Sequence, residues 1–225
     1  MDYFWKSIAT SEQKQRMQLF LPVLYSNLDI GEEGFIYATV SEGEINNKKI
    51  IKRLNPAGED VLRRNGFLAP VGDPNTSVLI DIEGRSNGIY SVLDSERGRV
   101  FTYDQNGNLL YVFGGRSNIK GAFRSPAAIE EINNKIIVVD SETGFITEFR
   151  PTHYTQLIHK AIKKYNEGYY NKAEQLWREI VKMNTNYNLA YKGIGRSLLR
   201  QGNYQPALKN FKLGLKSIFF WFLFY

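Results

Sequence analysis

The chain has 225 residues, 43% of them hydrophobic and 23% charged, so it can bury a core of one large or two small domains and is not disordered. It contains no cysteine, which removes disulfides, thiolate metal sites and cysteine nucleophiles. The net charge of +6 is uneven: residues 1–150 carry 17 Lys+Arg against 20 Asp+Glu, and residues 151–225 carry 12 against 3, namely Glu167, Glu174 and Glu179.

Residues 1–26 read as a lead-in helix. Thr10 with Gln13 fits a capping box, Met17, Leu19, Phe20 and Leu21 are its apolar residues, and Pro22 closes it. The segment has no apolar run ending in small residues, so it is not a secretory signal.

From 27 to 152 the pattern changes to short strands separated by turn residues. The runs are 35–40, 49–54, 77–82, 89–94, 99–104, 109–114, 136–140 and 145–149, rich in β-branched and aromatic residues. Asn106-Gly107 predicts a type I′ hairpin turn. Within this region 93–104 aligns without a gap on 139–150, a spacing of 46 residues that carries Asp94, Ser95, Glu96 and Gly98 onto Asp140, Ser141, Glu142 and Gly144. A looser copy begins at Gly34. Strand, tight turn and strand at such a period read as propeller blades, about three of them.

The stretch GAFRSPAAIEEINNKIIVVDSETGFITEF resembles an NHL-type blade, which opens with G-x-F-x-x-P, runs into a strand and turns through D-S-x-x-G. A second period, of 34 residues, follows over 153–217. Ala161, Gly168, Tyr170, Ala173 and Trp177 recur as Gly195, Gly202, Tyr204, Ala207 and Phe211, the pattern of two tetratricopeptide repeats. The fold class expected is thus a partial β-propeller joined to an α-helical solenoid, a multidomain α+β chain. The combination resembles a Gram-positive bacterial family in which an exported NHL propeller leads into tetratricopeptide repeats and a Yip-type membrane domain. The resemblance implies an internal portion of a longer protein that is membrane-associated or faces the extracellular side. Three blades and two repeats also fall short of the roughly four to eight blades and three repeats that such folds use. The unclosed edges are expected to pair with another chain or with the rest of a longer protein.

The tail 218–225, IFFWFLFY, is apolar throughout and too short to span a bilayer, which takes roughly 20 residues.

No catalytic set emerges. His153 and His159 lie six apart, which is not one helix face, and no Gly-rich phosphate loop is present. No metal and no cofactor is expected. Asp94 and Asp140 admit two readings. One is a carboxylate ring at a propeller mouth, as in metal-dependent lactonases; the other is a turn-fixing acceptor, favoured because the residue repeats with each blade.

The solenoid supplies the candidate binding residues. Lys192, Arg196 and Arg200 are spaced i, i+4, i+8 on the first helix of the second unit, and Ile158, Ile162 and Tyr165 lie at or beside the matching positions of the first unit. The tetratricopeptide resemblance implies that this stripe lines a concave groove facing solvent and not the propeller. Three cations beside an apolar half suit an acidic peptide or protein, or an anionic membrane surface. Nucleic acid fits less well, because Trp177, Tyr204 and Phe211 are assigned to helix packing. The functional expectation is a non-enzymatic binding or scaffolding module, with a propeller-type hydrolase as the alternative.

Overall fold

The computed structural model describes residues 24–42, 50–63 and 77–222, with the side chains of 41, 42 and 216–222 left aside. The capping box at Thr10 and the rest of the lead-in helix up to residue 23 lie outside the described residues. Residues 24–26, assigned above to that helix, instead begin a strand.

Three antiparallel meanders follow one another. Sheet I holds β1 (Leu24–Ile30), β2 (Ile36–Glu42) and β3 (Ile51–Leu54) in sequence order. Sheet II holds β4 (Leu79–Gly84), β5 (Tyr90–Asp94), β6 (Arg99–Tyr103) and β7 (Leu109–Gly114). Sheet III holds β8 (Pro126–Ile132), β9 (Lys135–Asp140) and β10 (Ile146–Phe149). The first strand of sheet II, β4, packs against β1 and β2 on one side and β8 on the other. This is the arrangement of consecutive propeller blades, each presenting its first strand to its neighbours.

Burial explains the strand sequences. Every residue of β5 is buried, because sheet II is covered on both faces, and its run YSVLD does not alternate. Strand β10 has only one covered face and alternates exposed with half-buried residues. Two apolar cores fill the gaps between sheets. Tyr37 and Ile51 of sheet I meet Ile82, Tyr90, Val92, Phe101 and Tyr103 of sheet II. Leu93 and Val100, on the opposite face of sheet II, meet Phe123, Ile129, Ile136 and Val138 of the third unit.

Strands β1 and β8 were not among the sequence-predicted runs. Their inward edges are fixed by side-chain acceptors: the Asp29 carboxylate accepts the Gly84 N–H at 2.7 Å, and Asp81 accepts the Ile129 N–H at 2.7 Å. The turn at Asn106-Gly107 is not type I′. Asn106 keeps a negative φ, Gly107 takes φ 74, and the Gly107 N–H reaches the Asp104 carbonyl at 2.9 Å. Asp104 causes the difference. Its carboxylate accepts the N–H groups of Asn106 and Asn108, both at 2.9 Å, which holds the loop as a type I turn with a bulge. The left-handed pair is instead Asn133-Asn134, with φ 51 and 61, closing the β8–β9 hairpin.

Four helices follow: α1 (His153–Asn166), α2 (Tyr170–Met183), α3 (Asn188–Arg200) and α4 (Tyr204–Phe222). Thr152 caps α1, its hydroxyl accepting the Thr155 N–H. Each helix packs on the next, giving two successive hairpins. Helix α4 runs past the boundary expected at residue 217, since no Gly or Pro follows Gly214 to end it. Among the described residues, no helix is long and apolar enough to cross a membrane. The helices dock on sheet II: Ile89 and Leu110 belong to the helical core, and the Tyr187 hydroxyl donates to the Leu110 carbonyl at 2.9 Å.

Candidate functional site

Helix α3 lies between two aromatics contributed by the repeat. A Cβ on Gly193 would come within 2.5 Å of the Trp177 indole of α2, and one on Gly195 within 2.6 Å of the Phe211 ring of α4. Ala161, Ala173 and Ala207 are buried at the other close contacts. These small residues let the helices approach, and that approach forms a pocket on the α1–α3 side.

The pocket has three walls. Ile162, Tyr165 and Asn166 come from α1, Leu189 and Arg196 from α3, and Gln105 with Asn106 from the β6–β7 turn. The turn is tied in place, as the Gln105 amide donates to Asn166 at 3.1 Å and Asn166 donates to the Asn87 carbonyl at 3.3 Å. Asp104 also lines the pocket, but its carboxylate is occupied by Asn106 and Asn108. Among the described residues Arg196 makes no ion pair.

The expected cationic stripe divides. Arg196 faces this pocket and therefore the propeller-like unit, in contrast to the expectation that the stripe turns away from it. Arg200 is exposed, with the Tyr165 hydroxyl beside it holding the guanidinium in its charged form. Lys192 is half-buried against α4, its stem 3.3 Å from where a Gly214 Cβ would sit. Ile162 lines the pocket. Ile158 is fully buried in the helical core and reaches no groove. Tyr204, assigned above to packing, is exposed at the start of α4.

Sequence reasoning missed a polar network at the junction. Arg85 forms a bidentate pair with Glu131, both contacts 2.9 Å, and donates to the Tyr111 hydroxyl at 3.1 Å. Tyr111 in turn meets Nε2 of His159 at 2.8 Å. Burial, and then the Arg85 charge, pushes His159 down to about 4, so the imidazole is neutral at physiological pH. Four residues, from the turn after β4, from β7, from β8 and from α1, converge here, and no local pattern in the sequence marks them.

Asp94 and Asp140 are both committed to their turns. Asp94 Oδ1 accepts the N–H groups of Val78, Glu96 and Arg97. Asp140 accepts those of Glu142 and Thr143 on one oxygen and of Arg124 and Ser125 on the other. Among the described residues, no group of three His, Cys, Asp or Glu side chains could hold a metal ion.

No protein-family model matches the chain, and neither does any curated protein sequence. Similar solved structures include the β-propeller domain of Cps50 (Swd1) from Myceliophteria thermophila, 14% identical, with a TM-score of 0.39 over 57% of this chain and 40% of that one. Another is a catalytically inactive virginiamycin B lyase from Staphylococcus aureus with quinupristin, 19% identical, TM-score 0.34, over 57% and 42% of the two chains. A streptogramin B lyase structure is 16% identical, TM-score 0.32, over 57% and 41%. The chain thus spans about two fifths of the length of these structures. Likeness at this level carries nothing about chemistry, and the blade arrangement described above stands on the sheet order and packing of this chain.

Proposed function

We propose that the chain is a non-enzymatic binding module. Its helices act as tetratricopeptide repeats, and its sheets act as NHL-type blades that hold one wall of the groove. The observation that carries the reading is Arg196: a guanidinium that makes no ion pair among the described residues and lines the pocket together with the apolar Ile162 and Leu189. Arg200 and Tyr165 extend the site toward the open end. The ligand class is an acidic peptide segment, whose carboxylates would pair with the two arginines while an apolar side chain enters over Ile162. Lys192 contributes long-range attraction, and Ile158 only packs in the helical core. By its resemblance, the full-length protein is membrane-associated.

The test is fluorescence anisotropy of a labelled Glu- and Asp-rich peptide, at low and at physiological salt. Binding should weaken as salt rises, because exposed charges are screened over about 8–10 Å. Arg196→Glu with Arg200→Glu should abolish binding without lowering the melting temperature. Equal binding by both proteins, or none at any salt, sinks the reading.

A further inference from the structure

A second cavity, of about 300 Å³, lies where sheet II, sheet III and the start of α1 meet, and it shares no wall residue with the helical groove. Its size is at the lower end of what small-molecule sites use. One wall is apolar. Tyr111 and Phe113 stand two apart on β7 and so share a side of that strand, where they join Ile136 of β9 and Phe149 of β10. The Phe113 and Phe149 rings are 4.8 Å apart.

The other wall is built of donors. Arg85 lines the cavity with its side chain only 4% exposed. Among the described residues it spends three of its five N–H groups, two on Glu131 and one on Tyr111, which leaves two on a buried guanidinium. Arg150 also lines the cavity, is exposed, and is bonded through Nε alone, to Glu148. Thr152, Thr155 and His159 fall on one stripe of α1; the first two line the cavity and the third holds the Tyr111 hydroxyl. The N-terminal end of α1 thus borders the space, and its first turn carries no acidic residue. Among the described residues no carboxylate is part of the wall, since Glu131 is turned to Arg85 and Glu148 to Lys135 and Arg150.

A wall rich in donors beside a wall of rings selects a ligand with one anionic acceptor and one flat apolar body. An inorganic anion would leave the aromatic wall unused, and a neutral ring would leave the buried donors of Arg85 unpaired. We infer that this cavity binds a small aromatic carboxylate, with its ring against Phe113 and Phe149 and its carboxylate on the side formed by Arg85, Arg150 and Thr155. Such a ligand touches both sheets and α1, so it binds the docked arrangement of the two units and stabilises it. The site does not depend on the reading of the helical groove.

The probes are indole-3-acetate and phenylacetate, titrated into the full chain by calorimetry, with indole and acetate as the ring and the carboxylate alone. At least one of the two acids should bind saturably, at a single site, and raise the melting temperature. Indole and acetate should bind about tenfold more weakly or not at all, because each engages one wall only. Thr155→Glu completes a capping box with Thr152, so the fold should be kept. It also places a carboxylate in the cavity and should weaken binding about tenfold or more. Arg150→Ala, at an exposed residue, should weaken binding about threefold or more. Arg196→Glu with Arg200→Glu should bind the acid as wild type does. Absence of saturable binding by either acid overturns the inference. So does indole or acetate bound as tightly as the acids, unchanged binding in either cavity variant, or loss of binding in the Arg196 and Arg200 pair.

Discussion

The Tyr111 hydroxyl and Nε2 of His159 meet at 2.8 Å across the boundary between sheet II and α1. Arg85 already donates to the Tyr111 oxygen, so the hydroxyl proton is directed at His159, which accepts it as a neutral ring. The two structural units are therefore joined through a histidine that must stay uncharged.

That requirement has a pH signature. His159 titrates at about 4 when folded, against 6.5 for an ordinary histidine. Between these values the unfolded chain binds a proton that the folded chain does not, so the junction loses stability as pH falls from 6.5 toward 4. The loss is about 2–3 kcal/mol. His159→Gln keeps a hydrogen-bond acceptor and removes the titration. It should cost about 1 kcal/mol at pH 7 and become neutral or stabilising at pH 4.5. Urea melts of both proteins at the two pH values check this; a mutational cost that does not change with pH shows that His159 is not the group concerned.

Glu83 works in the opposite direction. Its side chain is buried near Asp29 and Glu130, and burial first, then these like charges, pushes it up to about 8. The folded carboxyl holds its proton where the unfolded one, at 4.5, has lost it. Its contribution is fully present below pH 4.5 and is lost as pH rises through 8. Glu83→Gln removes this loss. The variant should melt higher than wild type at pH 8.5, by on the order of 2 kcal/mol, and close to wild type at pH 4.5. A destabilised variant at the higher pH would show that Glu83 is held as a carboxylate.

The strands that pair by local alternation were legible in the sequence, and so were the helices, whose 34-residue register placed Ala161, Ala173 and Ala207 in the core. Strand β1 was not, and β8 was implied only by the blade motif that ends at Pro126, because each is fixed by distant acceptors: Asp29 reaches Gly84 and Asp81 reaches Ile129, contacts 55 and 48 residues apart. The turn at Asn106 was misread because the dipeptide preference was outweighed by the Asp104 carboxylate two residues earlier. Of the residues lining the pocket, Arg196 was named from helical spacing, Ile162 from the 34-residue register and Tyr165 as its neighbour. The third wall, Gln105 and Asn106, comes from the other unit and has no periodic signal. The same holds for Arg85, Glu131 and Tyr111 around His159.

Packing among the four helices makes a prediction in which two effects compete. Gly193→Ala gains about 1 kcal/mol of helix propensity. The added methyl would stand 2.5 Å from the Trp177 indole, and overpacking costs about 1–3 kcal/mol. Because Trp177 is wedged between α2 and α3, the clash should win and the melting temperature should fall. Trp177→Leu in the same chain should restore part of the loss. Ala207→Leu, at a fully buried contact of α4, should cost about 1–3 kcal/mol as well. An unchanged melt for Gly193→Ala would mean that α2 and α3 do not sit at the described distance, and one for Ala207→Leu that Ala207 is not a buried helix contact.

The repeated aspartates give the last test. Asp140 accepts four backbone N–H groups, two from its own turn and two, Arg124 and Ser125, from the segment leading into β8. Burial alone would raise its carboxyl, but the N–H groups of Thr143, Arg124 and Ser125 outweigh that and hold it below the ordinary range. Its stabilising effect is therefore present above the unfolded value of 3.8 and is lost as pH falls through the lower folded value. Asp140→Asn keeps one acceptor oxygen and aims an NH₂ at two donors. It should cost about 2–3 kcal/mol near neutral pH. The damage should be local: the N–H groups of Arg124 and Ser125 should exchange faster with solvent, as should Phe123, which sits between sheets II and III. Asp94→Asn should act the same way on Val78, whose N–H it holds at 3.2 Å. If either variant melts like wild type with unchanged exchange, the carboxylate is not a turn clamp, and the functional reading of these positions gains weight.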